Sequence, residues 1–143
     1  MPANDVERAR AAWNAMAAPG ASRDLPSETD ELWAPDIVYV EDPSWPGAAT
    51  FHGRDAVSAR FREYGDALGE HTELEVEDVR AVGSVVLSII VFRGRSATGV
   101  PWDHRWGYVT RMRDGRIAEW RAYHDPDEAQ AAAEGTRPTD SGE

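Results

Sequence analysis

The sequence predicts an α+β fold in which N-terminal helices pack on a cone-shaped, curved antiparallel (mixed) sheet. Two observations support this prediction. Helical patterns dominate the first half of the chain, whereas strand patterns separated by tight turns dominate the second half. The 143 residues are 41% hydrophobic and include six Trp, which suits one domain with a real core. A curved sheet closed by helices encloses an apolar interior, which is a natural small-molecule pocket.

The first half carries three predicted helices and one strand. Asp5 can cap the first helix, and Pro35 ends the second, which is short and acidic. The third follows Gly53, because apolar residues then recur at helical spacing. The helices are predicted at residues 5–18, 27–33 and 54–68, and the strand at 37–42.

The second half predicts an antiparallel meander. Gly83-Ser84 forms one tight turn, and Asp114-Gly115 is a strong hairpin signal. Asp125-Pro126 then starts a short final helix. The strands are predicted at 72–82, 85–97, 99–113 and 116–125, the helix at 127–134 and a polar tail at 135–143. One domain is therefore expected over residues 1–143, with its core at about 5–134.

Composition excludes several classes of function. With 15 Lys and Arg against 26 Asp and Glu, the net charge is −11, which argues against a nucleic-acid partner or an anionic membrane surface. The absence of cysteine excludes disulfides and thiolate catalysis. There is no apolar run of about 20 residues and no secretory signal, so a cytoplasmic protein is expected.

Four segments resemble the SnoaL-like branch of the nuclear transport factor 2-like superfamily. They are VEDP at 40–43, GRDAV at 53–57, DGRI at 114–117 and WRAYHDPDEA at 120–129. The superfamily includes ketosteroid isomerases, polyketide cyclases, dehydratases and limonene epoxide hydrolases, so fold alone does not give function. The resemblance implies a small apolar or polyketide-like ligand, no cofactor and a homodimer.

Two motifs extend the resemblance to ketosteroid isomerases. Their general-base Asp lies in a VEDP segment, which corresponds to Asp42. Their neutral, hydrogen-bonding Asp lies in a P-x-D-H segment, which corresponds to Asp103 of PWDH. The Tyr of their first helix is replaced here by Ala9. Limonene epoxide hydrolases need an Asp in the final strand where this chain has Ala122, which argues against their water-activating arrangement.

Strand alternation divides the third meander strand into two faces. One face holds Trp102, His104, Trp106 and Tyr108, and the other holds Asp103, Arg105, Gly107, Val109 and Arg111. We expect Trp102, Trp106 and Tyr108 to cover a dimer interface on the outer sheet face. The alternative is that these aromatic side chains pack under the protein's own helices, in which case Asp103 faces solvent.

In the last strand, the resemblance directs Trp120, Ala122 and His124 into the pocket. Asp42, Asp103, Arg105 and His124 would then converge there. Asp42 would abstract a proton next to a carbonyl, with His124 assisting or replacing it, while Asp103 and Arg105 stabilise the enolate oxygen. Val40 and Trp45 are expected to contact the substrate.

Each candidate also has a structural interpretation. Asp42 can be a turn residue, Asp103 can pair with Arg105, and His124 can be a core histidine. Trp45 can be a lid or a loop anchor, and Asp125 a helix cap. No pair of His residues has metal-ligand spacing. The alternative function is a non-catalytic ligand-binding or dimerisation module, favoured if Trp side chains fill the pocket and Asp103 pairs with Arg105.

Overall fold

The structure is a computed structural model that describes residues 2–17, 32–45, 47–68, 73–95 and 98–135. Within these ranges the chain forms three helices and one six-stranded sheet. The helices are α1 (Pro2–Ala17), α2 (Arg54–Leu68) and α3 (Pro126–Glu134). The strands are β1 (Trp33–Val40), β2 (Thr50–His52), β3 (Glu73–Val82), β4 (Val85–Arg95), β5 (Pro101–Arg113) and β6 (Arg116–Tyr123). The predicted α+β class is confirmed.

The sheet has the strand order β2-β1-β6-β5-β4-β3. β1 runs parallel to β6, and the other neighbours are antiparallel, so the sheet is mixed. Asp114 and Gly115 have φ angles of 55° and 80°, which is the left-handed backbone that the predicted β5–β6 hairpin requires. Among the described residues, none of the helices is long and apolar enough to cross a membrane.

Both faces of the sheet are packed against helices. The inner face packs on α1 and α2, and the outer face packs on α3. The position of α3 on the outer face was not predicted from the sequence. The inner core includes Ala9, Trp13, Trp33, Ile37, Tyr39, Phe61, Ile90, Tyr108 and Trp120. The outer core consists of Val85, Leu87, Ile89, Val109, Ala129 and Ala133. A β-carbon on Gly107 would lie 2.3 Å from that of Ala129, so α3 lies directly on β5.

A bulge modifies the alternation of β6. Arg111 pairs with Glu119, but Met112 already pairs with Ile117, so the register shifts by one residue. Ile117 and Trp120 both join the inner core for this reason. Regular strand alternation would place Ile117 and Trp120 on opposite faces, and the bulge is what brings both to the inner face.

The first strand differs most from its prediction. β1 starts at Trp33 and ends at Val40, and Pro35 lies where its pairing with β6 is interrupted. A proline is accepted at such an irregularity because no ladder hydrogen bond is needed there. β2 was not predicted. Residues 27–31 of the predicted acidic helix and 136–143 of the tail lie outside the described residues.

Candidate functional site

Asp42 joins the ends of β1 and β6. Its Oδ1 accepts a hydrogen bond from the Ser44 N–H and its Oδ2 one from the His124 N–H, both at 2.9 Å. The Trp45 N–H donates to the Asp42 carbonyl at 3.0 Å, which closes a turn with Pro43 in its preferred position. Asp42 is buried. The structural interpretation of Asp42 as a turn residue is thus confirmed, and the carboxylate also holds β6.

The hydrogen bonds of Asp42 also set its charge. Burial raises the pKa of the carboxyl, but the N–H groups of His124 and Ser44 outweigh burial, so its pKa lies below 3.8. Asp42 is therefore ionised at neutral pH, with each oxygen already bound to a backbone donor. Such a carboxylate is a weak proton acceptor.

His124 lies in an aromatic cluster that we define by Trp45, His104, Trp106 and His124. Its ring stacks on Trp106 with a centroid separation of 4.7 Å and meets the edge of Trp45 at 4.6 Å. The Nε2 atom of His104 is 3.1 Å from the His124 carbonyl oxygen. Trp45 and Trp106 are half-buried and His104 is exposed, so the cluster lies where the inner face reaches solvent.

The imidazole of His124 is prepared to accept a proton. Its Nε2 is buried and has no hydrogen-bond partner among the described residues. Burial lowers the pKa of His124 below 6.5, and nearby His104 lowers it further, against the opposing charge of Asp42. The ring is consequently neutral at pH 7. A neutral imidazole nitrogen without a partner can act as a general base.

The predicted convergence of Asp103 and Arg105 with Asp42 and His124 is wrong. β5 pairs with β4 in continuous register from Pro101 to Thr110, and Asp103 and Arg105 share the outer face with Gly107. Both are exposed. Arg105 pairs with Glu77, with its Nε 3.1 Å from Oε1.

The physical reason is the burial of the other face of β5. Trp106 and Tyr108 pack in the inner core, and the Tyr108 ring lies 4.7 Å from that of Trp13 on α1. The alternative that these aromatic residues pack under the protein's own helices is confirmed for Tyr108, and Trp106 packs against the same core. Trp106 and Tyr108 therefore cannot form the predicted dimer interface on the outer face, and Trp102 has the same strand parity.

The remaining predicted residues divide between the two faces. Trp120 and Ala122 belong to the inner core, as the resemblance implied. Val40 lies on the opposite strand face from Tyr39 and outside that core. Trp45 contacts Trp106 at 4.7 Å, so it anchors its loop to the aromatic cluster. Asp125 caps α3 by accepting from the Asp127 N–H.

Three residues of this region were missed by the sequence interpretation. His104 and Trp106 reach the aromatic cluster, and the signal for both was their shared strand face. Glu41 was passed over beside Asp42. Its side chain is 1% exposed, accepts two hydrogen bonds from Arg60 at 2.6 and 3.1 Å, and ties β1 to α2. Among the described residues, no group of three or more potential ligands is placed to hold a metal ion.

The mixed curved sheet, with two helices on its inner face and a solvent-accessible site at the β1 and β6 ends, defines a protein of the nuclear transport factor 2-like class. The sequence profile of the SnoaL-like domain matches residues 6–120. The chain belongs to the SnoaL-like family, as its motifs predicted. No curated protein sequence matches it.

Solved structures with similar folds share little sequence with this chain. Bal32a, from a soil-derived mobile gene cassette, has a TM-score of 0.70 at 19% identity, covering 88% of this chain and 93% of its own. A proposed SnoaL-like polyketide cyclase from Jannaschia sp. CCS1 has a TM-score of 0.69 at 16% identity, covering 94% of both chains. TerC, co-crystallised with polyporic acid, has a TM-score of 0.65 at 16% identity, covering 92% of this chain and 98% of its own. At these identities the similarity establishes the fold alone.

Proposed function

We propose that this protein is a cofactor-free enzyme of the ketosteroid isomerase or polyketide cyclase type, which transfers a proton next to a carbonyl group. The observation that carries the proposal is the buried Nε2 of His124, which has no partner among the described residues. A lowered pKa keeps the imidazole neutral near pH 7, and in its Nδ1–H tautomer Nε2 carries the lone pair that accepts a proton. His124 therefore takes the role of the base.

The aromatic cluster is the proposed substrate surface. Trp45 and Trp106 present half-buried indole rings that contact His124 and each other. Indole surfaces bind flat apolar rings well, because stacking adds to the burial of apolar area. The substrate is accordingly a cyclic or polyketide-like ketone. TerC, which has a similar fold, was crystallised with polyporic acid.

The proposed reaction needs only a proton acceptor and an orienting group. His124 Nε2 removes a proton from the carbon next to the carbonyl, and the electron pair moves to the carbonyl oxygen to form an enolate. The imidazolium then returns the proton during isomerisation, aldol-type cyclisation or dehydration. Asp42 acts as a positioning residue, because it holds the backbone N–H of His124.

Deuterium exchange tests the proposal directly. In D₂O, the wild type should accelerate exchange of the α-protons of 1-tetralone, measured by proton NMR. His124→Gln should reduce the enzymatic rate about 100-fold or more, as expected for loss of a general base. The Gln variant keeps the backbone N–H that binds Asp42. His52→Gln, at an exposed histidine in β2, is the matched control and should retain full activity.

The alternative is a non-catalytic ligand-binding module. It is favoured by the tight filling of the inner core, where Trp13, Trp33 and Trp120 are all at most 2% exposed. The positions of Asp103 and Arg105 on the outer face also remove two proposed enolate-stabilising groups. Binding of 1-naphthol without any tetralone exchange would favour the module, and the absence of both would contradict the two proposals together.

A further inference from the structure

The backbone of His124 is held by two side chains from other segments of the chain. The pairing of β6 with β5 ends at Tyr123, and its pairing with β1 ends at Arg121. His124 therefore lies beyond the ladder hydrogen bonds that fix a strand. In their place, its N–H donates to Asp42 Oδ2 at 2.9 Å, and its carbonyl oxygen accepts from His104 Nε2 at 3.1 Å. Side chains thus hold both polar backbone groups of this residue.

The hydrogen bond to the His124 carbonyl fixes the tautomer of His104. A carbonyl oxygen can only accept, so the hydrogen atom lies on Nε2 of His104, and Nδ1 carries the lone pair of the neutral ring. Because His104 is exposed, its ring can take up a proton from water at Nδ1 while Nε2 keeps its bond to the carbonyl. Protonation of His104 therefore adds a positive charge without releasing His124.

The two imidazole rings lie close enough to affect each other's charge. Their centroids are 5.6 Å apart, and the ring planes meet at 77°. Trp106 contacts both rings, that of His104 at 5.1 Å and that of His124 at 4.7 Å, and so limits their movement. Two positive charges at this separation repel, so protonation of one ring opposes protonation of the other.

The charged groups around His124 come from three elements. Burial lowers the pKa of its ring most, Asp42 after β1 and Glu128 of α3 raise this pKa, and His104 of β5 lowers it. Both carboxylates favour the protonated ring of His124. A protonated His104 has the opposite effect, and its charge can therefore offset that of the carboxylates.

We propose that His104 is a positioning residue for His124. Its Nε2–H fixes the carbonyl of His124, and the positive charge that it acquires as pH falls opposes protonation of the neighbouring ring. The pair therefore widens the pH range over which His124 Nε2 stays free to accept a proton from a substrate. This inference rests on the proposed function for the role of His124 as the base, whereas the contact between the two histidines does not depend on any reaction.

Two variants separate the hydrogen bond of His104 from its charge. His104→Gln keeps a side-chain N–H donor of similar reach but carries no charge, whereas His104→Leu loses both. In NMR titrations, the midpoint of the His124 ring should be higher in His104→Gln than in the wild type. Exchange of the His124 backbone N–H should be roughly 10-fold faster in His104→Leu and close to wild type in His104→Gln. His52→Gln, at an exposed histidine of β2, is the matched control and should change neither.

The exchange of 1-tetralone protons for deuterium shows whether the contact serves the reaction. At pH 8, where an ordinary imidazole is neutral, His104→Leu should lower kcat roughly 10-fold with little change in KM, and His104→Gln should restore most of this loss. If the wild type shows no exchange, the proposed function fails, and the NMR measurements still support or overturn the role of His104. An unchanged His124 midpoint in His104→Gln, or unchanged amide exchange in His104→Leu, overturns the proposal.

Discussion

Replacing Asp42 by Asn should weaken the hydrogen bonds by which this carboxylate links the ends of β1 and β6. In the wild type, each carboxylate oxygen accepts one backbone N–H, from Ser44 and from His124. An amide has one oxygen and one NH₂ group, so it can accept only one of the two. The backbone N–H that loses its acceptor would then face the NH₂ group of the Asn side chain, which is also a donor, in buried surroundings.

The expected cost follows from the hydrogen bonds. A hydrogen bond to a charged acceptor contributes about 1.5–3 kcal/mol, and an unpaired buried donor costs a similar amount. Asp42→Asn loses one such bond and weakens the other, so we expect about 2–3 kcal/mol of lost stability. For a domain of this size, that corresponds to a fall in Tm of roughly 6–12 °C.

The pH dependence of unfolding gives this prediction a second signature. Because the pKa of Asp42 is lowered from 3.8 in the folded state, its stabilisation is complete above that value and is lost as pH falls through the folded pKa. The difference between wild type and Asp42→Asn should therefore persist from pH 7 to about pH 4 and close below it.

Urea unfolding at several pH values measures both signatures. Asp36→Asn is the control, since Asp36 lies on the same strand but its side chain is 71% exposed and pairs with Arg113 at the surface. That variant should change stability by no more than about 0.5 kcal/mol. Equal stability of Asp42→Asn and wild type at pH 7 would refute the role of Asp42 as the connection between β1 and β6.

Three further predictions concern α3, α2 and the aromatic cluster. Gly107→Ala should cost about 2 kcal/mol and speed amide exchange in α3, because its β-carbon would overlap that of Ala129. Arg60→Met should cost about 3 kcal/mol in chemical unfolding, since it leaves the buried Glu41 carboxylate without its cation. Because the pKa of His124 in the folded protein lies below 6.5, protonation of its ring costs stability; this cost is absent above pH 6.5 and grows as pH falls from 6.5 through the folded-state pKa. His124→Gln should remove this loss in unfolding curves between pH 8 and 5.

Each of these predictions has a companion measurement. Arg80→Met breaks an exposed ion pair with Asp78 and should cost less than about 1 kcal/mol. If Arg80→Met and Arg60→Met lost similar stability, the burial of the Glu41 carboxylate would not explain the cost of Arg60→Met. His52→Gln should keep the wild-type pH dependence. Unchanged exchange in α3 of Gly107→Ala would contradict direct packing of that helix on β5.

The parts of the fold that sequence could predict are those set by local chemistry. Asp114-Gly115 supplies the backbone angles of a hairpin whatever lies around it. Asp125 before a proline caps α3 for an equally local reason. Strand alternation correctly grouped Trp106 with Tyr108 and separated them from Asp103. The unpredicted strand β2 is only three residues long, too short for a periodic signal.

The errors came from interactions between distant segments. Alternation defines two faces of β5 but does not say which faces inward. That choice depends on α3 packing over Gly107 and on Trp13 of α1 packing against Tyr108. The bulge that turns Ile117 inward depends on the pairing of two strands and has no signature in β6 alone.

The candidate site was predicted in part for the same reason. The segment around Asp42 identified the right place in the fold, but its partner donors come from Ser44 nearby and from the distant His124. That both carboxylate oxygens of Asp42 already accept hydrogen bonds becomes visible only once β1 and β6 are paired in the fold. His124 was identified through strand alternation together with the resemblance, whereas the role of Trp106 beside it depended on the orientation of β5.

The two faces of β5 carry different reactive side chains. His104 faces the aromatic cluster, while Asp103 and Arg105 face outward one residue to either side of it. One residue inserted between Arg105 and Trp106 would reverse the parity of the preceding segment and leave Trp106 and Tyr108 in place. A carboxylate and a guanidinium would then replace an imidazole at the site. A single insertion could thus exchange the reactive groups of this scaffold while the core stays intact.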